Sequence, residues 1–247
     1  MFSYQGIMTS NQKTIKLQLF LARAGVASRR KSETLIESGI VLVNGKKATI
    51  GLRIDPTKDV VKVKDTLIAA PQMHRYFLIN KPVGYISTTS DESHRKTVLD
   101  IIPKLTERVY PVGRLDQESE GLMLLTNNGE LAYKLTHPKF EIPKTYEVLI
   151  EGRPTGKALN HLRRGVKLKD GFTKPAEVSV LSHDGPNTLL EITIKEGRNR
   201  QIRRMTERVG YETIELIRTK LGPFDLGDLD EERYIELPEE AITQLLK

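Results

Sequence analysis

Residues 113–129 read GRLDQESEGLMLLTNNG. The run Gly121–Leu125 has the length and apolar content of a buried strand, and Asn128-Gly129 behind it is a turn signal. The small and charged residues ahead of it form a loop. A carboxylate on a loop delivered by a buried strand is a common mount for a catalytic acid, base or nucleophile, which singles out Gly113, Arg114 and Asp116. The same Asp116 could instead accept bonds from nearby amides and only shape the turn. Local spacing leaves both readings open.

Working outward from this stretch, short apolar or alternating runs at Tyr76–Ile79, Tyr146–Ile150, Leu189–Ile194 and Glu212–Ile217 read as strands. Helical patterns fall near Glu130–Leu135, Gly156–Arg164, Asn199–Val209 and Pro238–Leu246. Turns at Asn128-Gly129, Asp170-Gly171 and Asp184-Gly185 separate the strands by too little for regular crossover helices. The expectation is an α+β domain over 73–247 with a mixed, mainly antiparallel sheet. Residues 65–74, DTLIAAPQMH, hold no period and contain Pro71, so they read as a linker.

The charge is distributed unevenly. The chain has 247 residues and a net charge of +7, yet residues 1–72 hold 12 Lys and Arg against five acids, while the remainder is balanced. That pattern suggests a small basic module on a larger, near-neutral body. In the module, Leu17, Phe20, Leu21 and Ala24 fall on one helical face with Gly25 as a stop. Ser28 is placed to cap a second helix that buries Leu35 and Ile36 and ends at Gly39. Ile40–Val43, the hairpin signal Asn44-Gly45, and Val61 with Val63 complete it as strands. Arg29, Arg30 and Lys31 sit in the first turn of that second helix, where the macrodipole disfavours cations by about 0.3 to 1 kcal/mol each. A phosphate backbone would reward the placement, meeting both the side chains and the free N–H groups.

A second basic stretch, KEGRNRQIRRMTERVG at 195–210, carries six Lys and Arg against two Glu. As a helix from about Asn199 it groups Arg200, Arg203 and Arg204 within one turn, opposite an apolar stripe of Ile202, Met205 and Val209. Residues 225–240 hold eight acids against one Arg, a segment suited to covering the sheet or repelling wrong partners rather than touching an anionic partner.

Several chemistries are excluded or disfavoured. The chain has no cysteine, which removes disulfides, thiolate metal sites and thiol nucleophiles and fits a reducing, cytoplasmic setting. GIVLVNGKK has the wrong spacing for a Walker loop, no G-x-G-x-x-G follows a strand, and the five histidines are scattered. No apolar run is long enough to span a membrane, and residues 1–14 lack the pattern of a secretory signal, reading instead as a disordered leader.

LFLARAGVASRRKSETLIESGIVLVNG resembles the S4 RNA-binding module, over about residues 15–65, with the linker carrying that unit to residue 72. GRLDQESEGLMLLTNNGEL, PKTYEVLIEG, EGRNRQIRRMTERVG and LIRTKLGPFDLGDL, in that order, resemble the RsuA/RluB-type ribosomal RNA pseudouridine synthases, closer to the large-subunit branch. The resemblance implies isomerisation of a uridine to its carbon-linked isomer in rRNA, 23S favoured over 16S, without cofactor or metal, and the expectation is a monomer. By the same resemblance Asp116 is the catalytic aspartate, Tyr146 stacks on the target base, Arg203 pairs with the aspartate, and Arg114 enters the space of the flipped nucleotide. Arg29, Arg30, Lys31, Arg114, Arg198, Arg200 and Arg204 are then the RNA-binding set. Two other readings compete: an rRNA-binding assembly factor that has lost the reaction, and a glycosidase using Glu118 or Glu120 as a second carboxylate.

Overall fold

The computed structural model describes residues 14–69 and 73–245, so the expected leader lies almost wholly outside the described residues. The chain divides into two compact units at Met73/His74. In the first, β1 (Ile15–Lys16), α1 (Leu17–Arg23), α2 (Arg29–Glu37), β2 (Val41–Val43), β3 (Lys46–Lys47), β4 (Arg53–Ile54), β5 (Val61–Val63) and β6 (Thr66–Leu67) follow one another. Two antiparallel sheets form, β1 with β4 and β3-β2-β5-β6. Leu17, Phe20, Leu21, Ile36, Val41, Ile54 and Val61 make their shared core. The Ser28 hydroxyl accepts from Lys31 N, capping α2 as its position predicts. Asn44 and Gly45 both have positive φ, the geometry that a two-residue hairpin demands and Asn-Gly tolerates. Part of the expected linker is structured: Thr66–Leu67 turn back onto Val61–Val63 as an edge strand, because Lys64 takes a left-handed conformation and closes a hairpin that composition does not announce.

The second unit contains β7 (Tyr76–Lys81), β8 (Tyr110–Pro111), β9 (Glu120–Thr126), α3 (Gly129–Thr136), β10 (Lys144–Ile150), α4 (Gly156–Arg164), β11 (Lys167–Leu168), β12 (Gly171–Phe172), β13 (Glu177–Asp184), β14 (Asn187–Ile194), α5 (Gln201–Arg208), β15 (Thr213–Leu221), β16 (Phe224–Asp225), β17 (Tyr234–Glu236) and α6 (Glu239–Leu245). Its main sheet runs β13-β14-β10-β15-β9-β7-β17. Every neighbouring pair is antiparallel except β15 with β9, which meet in parallel at Ile217/Glu120 and Arg218/Gly121. The fold is therefore α+β with a mixed, mostly antiparallel sheet.

Burial explains the two kinds of strand pattern. β7 and β9 are covered on both faces, so they read as continuous apolar runs. Phe77, Ile79, Met123 and Leu125 pack on one side with α4 and α5 residues Leu162, Ile202 and Met205. Tyr76, Leu78, Leu122 and Leu124 pack on the other with Leu131 and Leu135 of α3 and Ile242 of α6. On β14, Leu190, Ile192 and Ile194 are buried while the residues between them are partly exposed, hence its alternation. In the acidic C-terminal segment, β17 pairs with β7 and closes that edge of the sheet. The helix expected from Asn199 starts later, at Gln201, because Arg200 is held at φ 47° just outside it.

Candidate active site

The loop before β9 is pinned on both sides of Asp116. Ser87 Oγ donates to Leu115 O at 2.7 Å and accepts from Leu115 N at 3.1 Å. Gly84 N donates to Gln117 O at 2.8 Å, and Ser119 N donates to Asp116 O at 3.1 Å. Beneath the loop lies Lys81, the last residue of β7, which has no exposed surface. Its ammonium donates to Ser119 O at 2.6 Å, Pro82 O at 3.0 Å and Gln117 O at 3.4 Å. Burial pushes this ammonium down to about 8, opposed by the negative charges of Glu120 and Asp116. The Asp116 carboxylate itself has no hydrogen bond or ion pair among the described residues. Of the two readings open in the sequence, the turn-shaping one fails, since the loop is built by backbone carbonyls, Ser87 and Lys81, with the carboxylate left over.

Asp116 lines a cavity of about 290 Å³ in this unit, together with Arg114, Ser119, Lys144, Tyr146 and Arg218. Arg198 and Arg200 also reach it but are paired with Glu196 and Glu118, which leaves Arg114, Lys144 and Arg218 as cations without an ion pair among the described residues, an electrostatic setting for an anionic ligand. Tyr146 on β10 stands in register with Ile192 of β14 on one side and Arg218 of β15 on the other. The residue is 8% exposed and its side chain lines the cavity. Opposite Arg218 on β9 is Gly121, at φ 101°, where any Cβ would collide with the Arg218 backbone. Glycine is what lets β9, and with it the Asp116 loop, approach the strand carrying Arg218.

The arginines of 198–204 serve different ends. Arg203 does not pair directly with Asp116. Its Nη1 donates to Thr213 O and its Nη2 to Glu118 O, both at 3.0 Å, so two edges of the guanidinium are committed to backbone. Burial and then the nearby charge of Arg200 lower its pKa, while the charge of Asp116 opposes them. Arg203 thus feels the carboxylate and braces the loop that carries it. Arg200 pairs with Glu118. Arg198 ties down the β11–β12 turn through Asp170 O, Gly171 O and Phe172 O at 3.3, 3.2 and 2.5 Å. Arg204 makes a two-pronged bond to the Asp170 carboxylate at 2.9 and 3.2 Å. Arg114 is exposed, with no partner among the described residues.

Sequence reading missed Lys81, Ser119, Lys144 and Arg218. Lys81 and Arg218 lie inside strand runs, and a cation in such a run is the available signal, since a charge is rarely buried without a purpose. Ser119 carries no signal of its own.

Residues 75–208 match the family model for RNA pseudouridylate synthase, and residues 15–61 match the S4 domain. The chain is 42% identical over 233 residues to the ribosomal large subunit pseudouridine synthase B of Bacillus subtilis, covering 93% of this chain and 95% of that one. It is 41% identical to an uncharacterized RNA pseudouridine synthase of Aquifex aeolicus, with 94% of each chain covered. A crystal structure of a pseudouridylate synthase superposes with a TM-score of 0.68 at 28% identity, covering 94% of this chain and 99% of that one. With the cationic cavity on the synthase unit and an S4 domain ahead of it, the chain belongs to the RNA pseudouridine synthases, isomerases that act on RNA.

Proposed function

We propose that this enzyme isomerises a specific uridine of 23S ribosomal RNA, with Asp116 as the catalytic carboxylate. The observation that carries the reading is Asp116 itself: a carboxylate with no hydrogen bond or ion pair among the described residues, on a pinned loop, the one acid lining a cavity that also holds Tyr146, several cations and apolar side chains. The large-subunit substrate rests on the Bacillus subtilis relative and on a Haemophilus influenzae protein of the same name, 39% identical over 251 residues.

The reaction exchanges a C1′–N1 bond for a C1′–C5 bond. N1 gains a proton, C5 loses one, and no electrons are gained or lost overall, so the isomerisation requires neither oxidant nor cofactor. Breaking the first bond leaves C1′ electron-poor, and an ionised oxygen answers that deficiency by attacking C1′ or by taking the neighbouring C2′ proton. Both routes need what the loop supplies, a carboxylate committed to no other donor. Tyr146 offers the freed base a flat surface on which it can turn while remaining bound, with stacking of roughly 1 to 3 kcal/mol. A nucleotide must leave its stack to enter such a cavity, at a cost of a few kcal/mol. Phosphate contacts from Arg114 and from Arg29, Arg30 and Lys31 of the S4 domain offset it, all four being exposed.

The test is a map of pseudouridine in total rRNA with and without the gene, alongside tritium release from C5-labelled 23S transcripts by the purified protein. One 23S position should lose its modification and regain it on complementation. A lost position in 16S rRNA overturns the substrate, and an unchanged map with no tritium release overturns the activity.

A further inference from the structure

Arg218 is 2% exposed, and the bonding accounts for only part of its guanidinium. Nε donates to Leu122 O at 2.8 Å, while Nη2 is buried without a partner. It has no ion pair among the described residues. Two residues before Tyr146 on the same strand, Lys144 lines the same cavity; its ammonium donates to Ile142 O at 3.0 Å. Burial and then the charge of Arg218 push the Lys144 ammonium down. Ser119 adds a third group, a hydroxyl 1% exposed on the same cavity and likewise without a partner. Buried cations and donors left unsatisfied are costly, and a fold retains them where a ligand completes the set.

The position of Arg218 says which part of a ligand it meets. It is in register with Tyr146 on the neighbouring strand, and adjacent strands lie about 4.8 Å apart, so the guanidinium flanks the ring on which a base would stack. We propose that Arg218, assisted by Ser119, is the subsite for the edge of the target base, donating to a carbonyl oxygen of uracil and holding the charge it acquires as it detaches. This rests on the function proposed above. When C1′–N1 breaks, its electron pair leaves with the ring and spreads over N1 and the two carbonyl oxygens. A fixed guanidinium stabilises that anion without a proton transfer. C5 then supplies the pair for the new bond to C1′, its proton passes to water, and N1 takes up a proton. Arg114, exposed to solvent, is placed for phosphates, whereas Arg218 is 2% exposed and stands in strand register with Tyr146.

The test combines protein and substrate changes. The substrate is a 23S fragment holding the mapped uridine, made with uridine, 2-thiouridine or 4-thiouridine there, or with a methylphosphonate at the adjacent phosphate. Sulfur accepts hydrogen bonds poorly. On unmodified RNA, Arg218→Met should lower the single-turnover rate about 10²- to 10³-fold while RNA affinity stays within about threefold. One of the two thio substitutions should slow the wild-type enzyme and leave the rate of Arg218→Met unchanged. Ser119→Ala removes a hydroxyl that bonds nothing in the protein, so it should keep the wild-type melting temperature while losing about tenfold in rate. It is the readout should Arg218→Met fail to fold. Equal thio effects in wild type and both variants would overturn the proposal. Loss of sensitivity to the methylphosphonate alone would overturn it in favour of a phosphate site. If the wild-type protein makes no pseudouridine in the unmodified fragment, the function itself has failed and the subsite falls with it.

Discussion

The two dense runs of cations in this enzyme are held in opposite ways. At the start of α2, Arg29, Arg30 and Lys31 are exposed, and their side chains have no partner among the described residues. Around the start of α5, Arg198, Arg203 and Arg204 are bonded to three carbonyls of the β11–β12 turn, to Thr213 and Glu118 carbonyls, and to the Asp170 carboxylate. The first run is charge kept available; the second is charge used as scaffold. The same contrast recurs in the loop before β9, where Asp116 has no partner among the described residues and Lys81, beneath the loop, is bonded three times. Removing an available charge should therefore affect function and spare folding, and removing a scaffold charge should do the reverse.

The sharpest case is Asp116→Asn. Turnover should fall by at least about 10⁴-fold, with the melting temperature and RNA affinity close to wild type, checked by tritium release, thermal unfolding and filter binding. An unfolding-prone Asn variant would show the carboxylate to be scaffold after all.

Lys81→Met should give the opposite result, a loss of about 3–5 kcal/mol of stability in denaturant unfolding, because three carbonyls lose one buried donor. The pH dependence has a definite sign. The folded ammonium is lowered to about 8 against a reference of 10.5, so between those values the unfolded chain binds more protons than the folded one. Stability should rise with pH across that window in wild type relative to Lys81→Met, by up to about 3 kcal/mol, and the difference should be flat below pH 8.

For the available run, Arg29→Glu with Arg30→Glu should weaken RNA binding and reduce the slope of log affinity against log salt by about 1 to 2, with no change in the melting temperature. An unchanged slope would remove α2 from the RNA contact.

The smallest effect is expected from Arg204→Ala. Its Asp170 partner is half-exposed, so the pair should contribute no more than about 1 kcal/mol to stability, and the salt slope should not move. A change in slope as large as that of the α2 variant would erase the distinction between the two runs.

Much of this molecule is local and therefore readable in a line of residues. The two-faced burial of β7 and β9 appears as unbroken apolar runs, the single-faced burial of β14 as alternation, and α4 spans the residues its pattern marks. Each depends on side chains within one element, as do the Ser28 cap and the Asn44-Gly45 hairpin. Asp116 is legible as a candidate because its loop is unusual. Its freedom is not, since that depends on Ser87, Gly84 and Lys81, some 30 residues earlier in the chain. Likewise Arg203 reads as a partner for the aspartate, and only the folded chain shows two of its three guanidinium nitrogens taken by Thr213 and Glu118 carbonyls.

By itself the sequence determined the two-unit charge layout, the classes of chemistry that an absence of cysteine removes, and, through its ordered motifs, the family. Tertiary structure alone decided that β9 lies parallel to β15, which sets Gly121 against Arg218 and brings the Asp116 loop beside the strand next to Tyr146. The reason is physical. Periodicity reports which face of an element is buried, but register between strands almost a hundred residues apart is settled by packing and by the one position where a missing Cβ allows two backbones to approach.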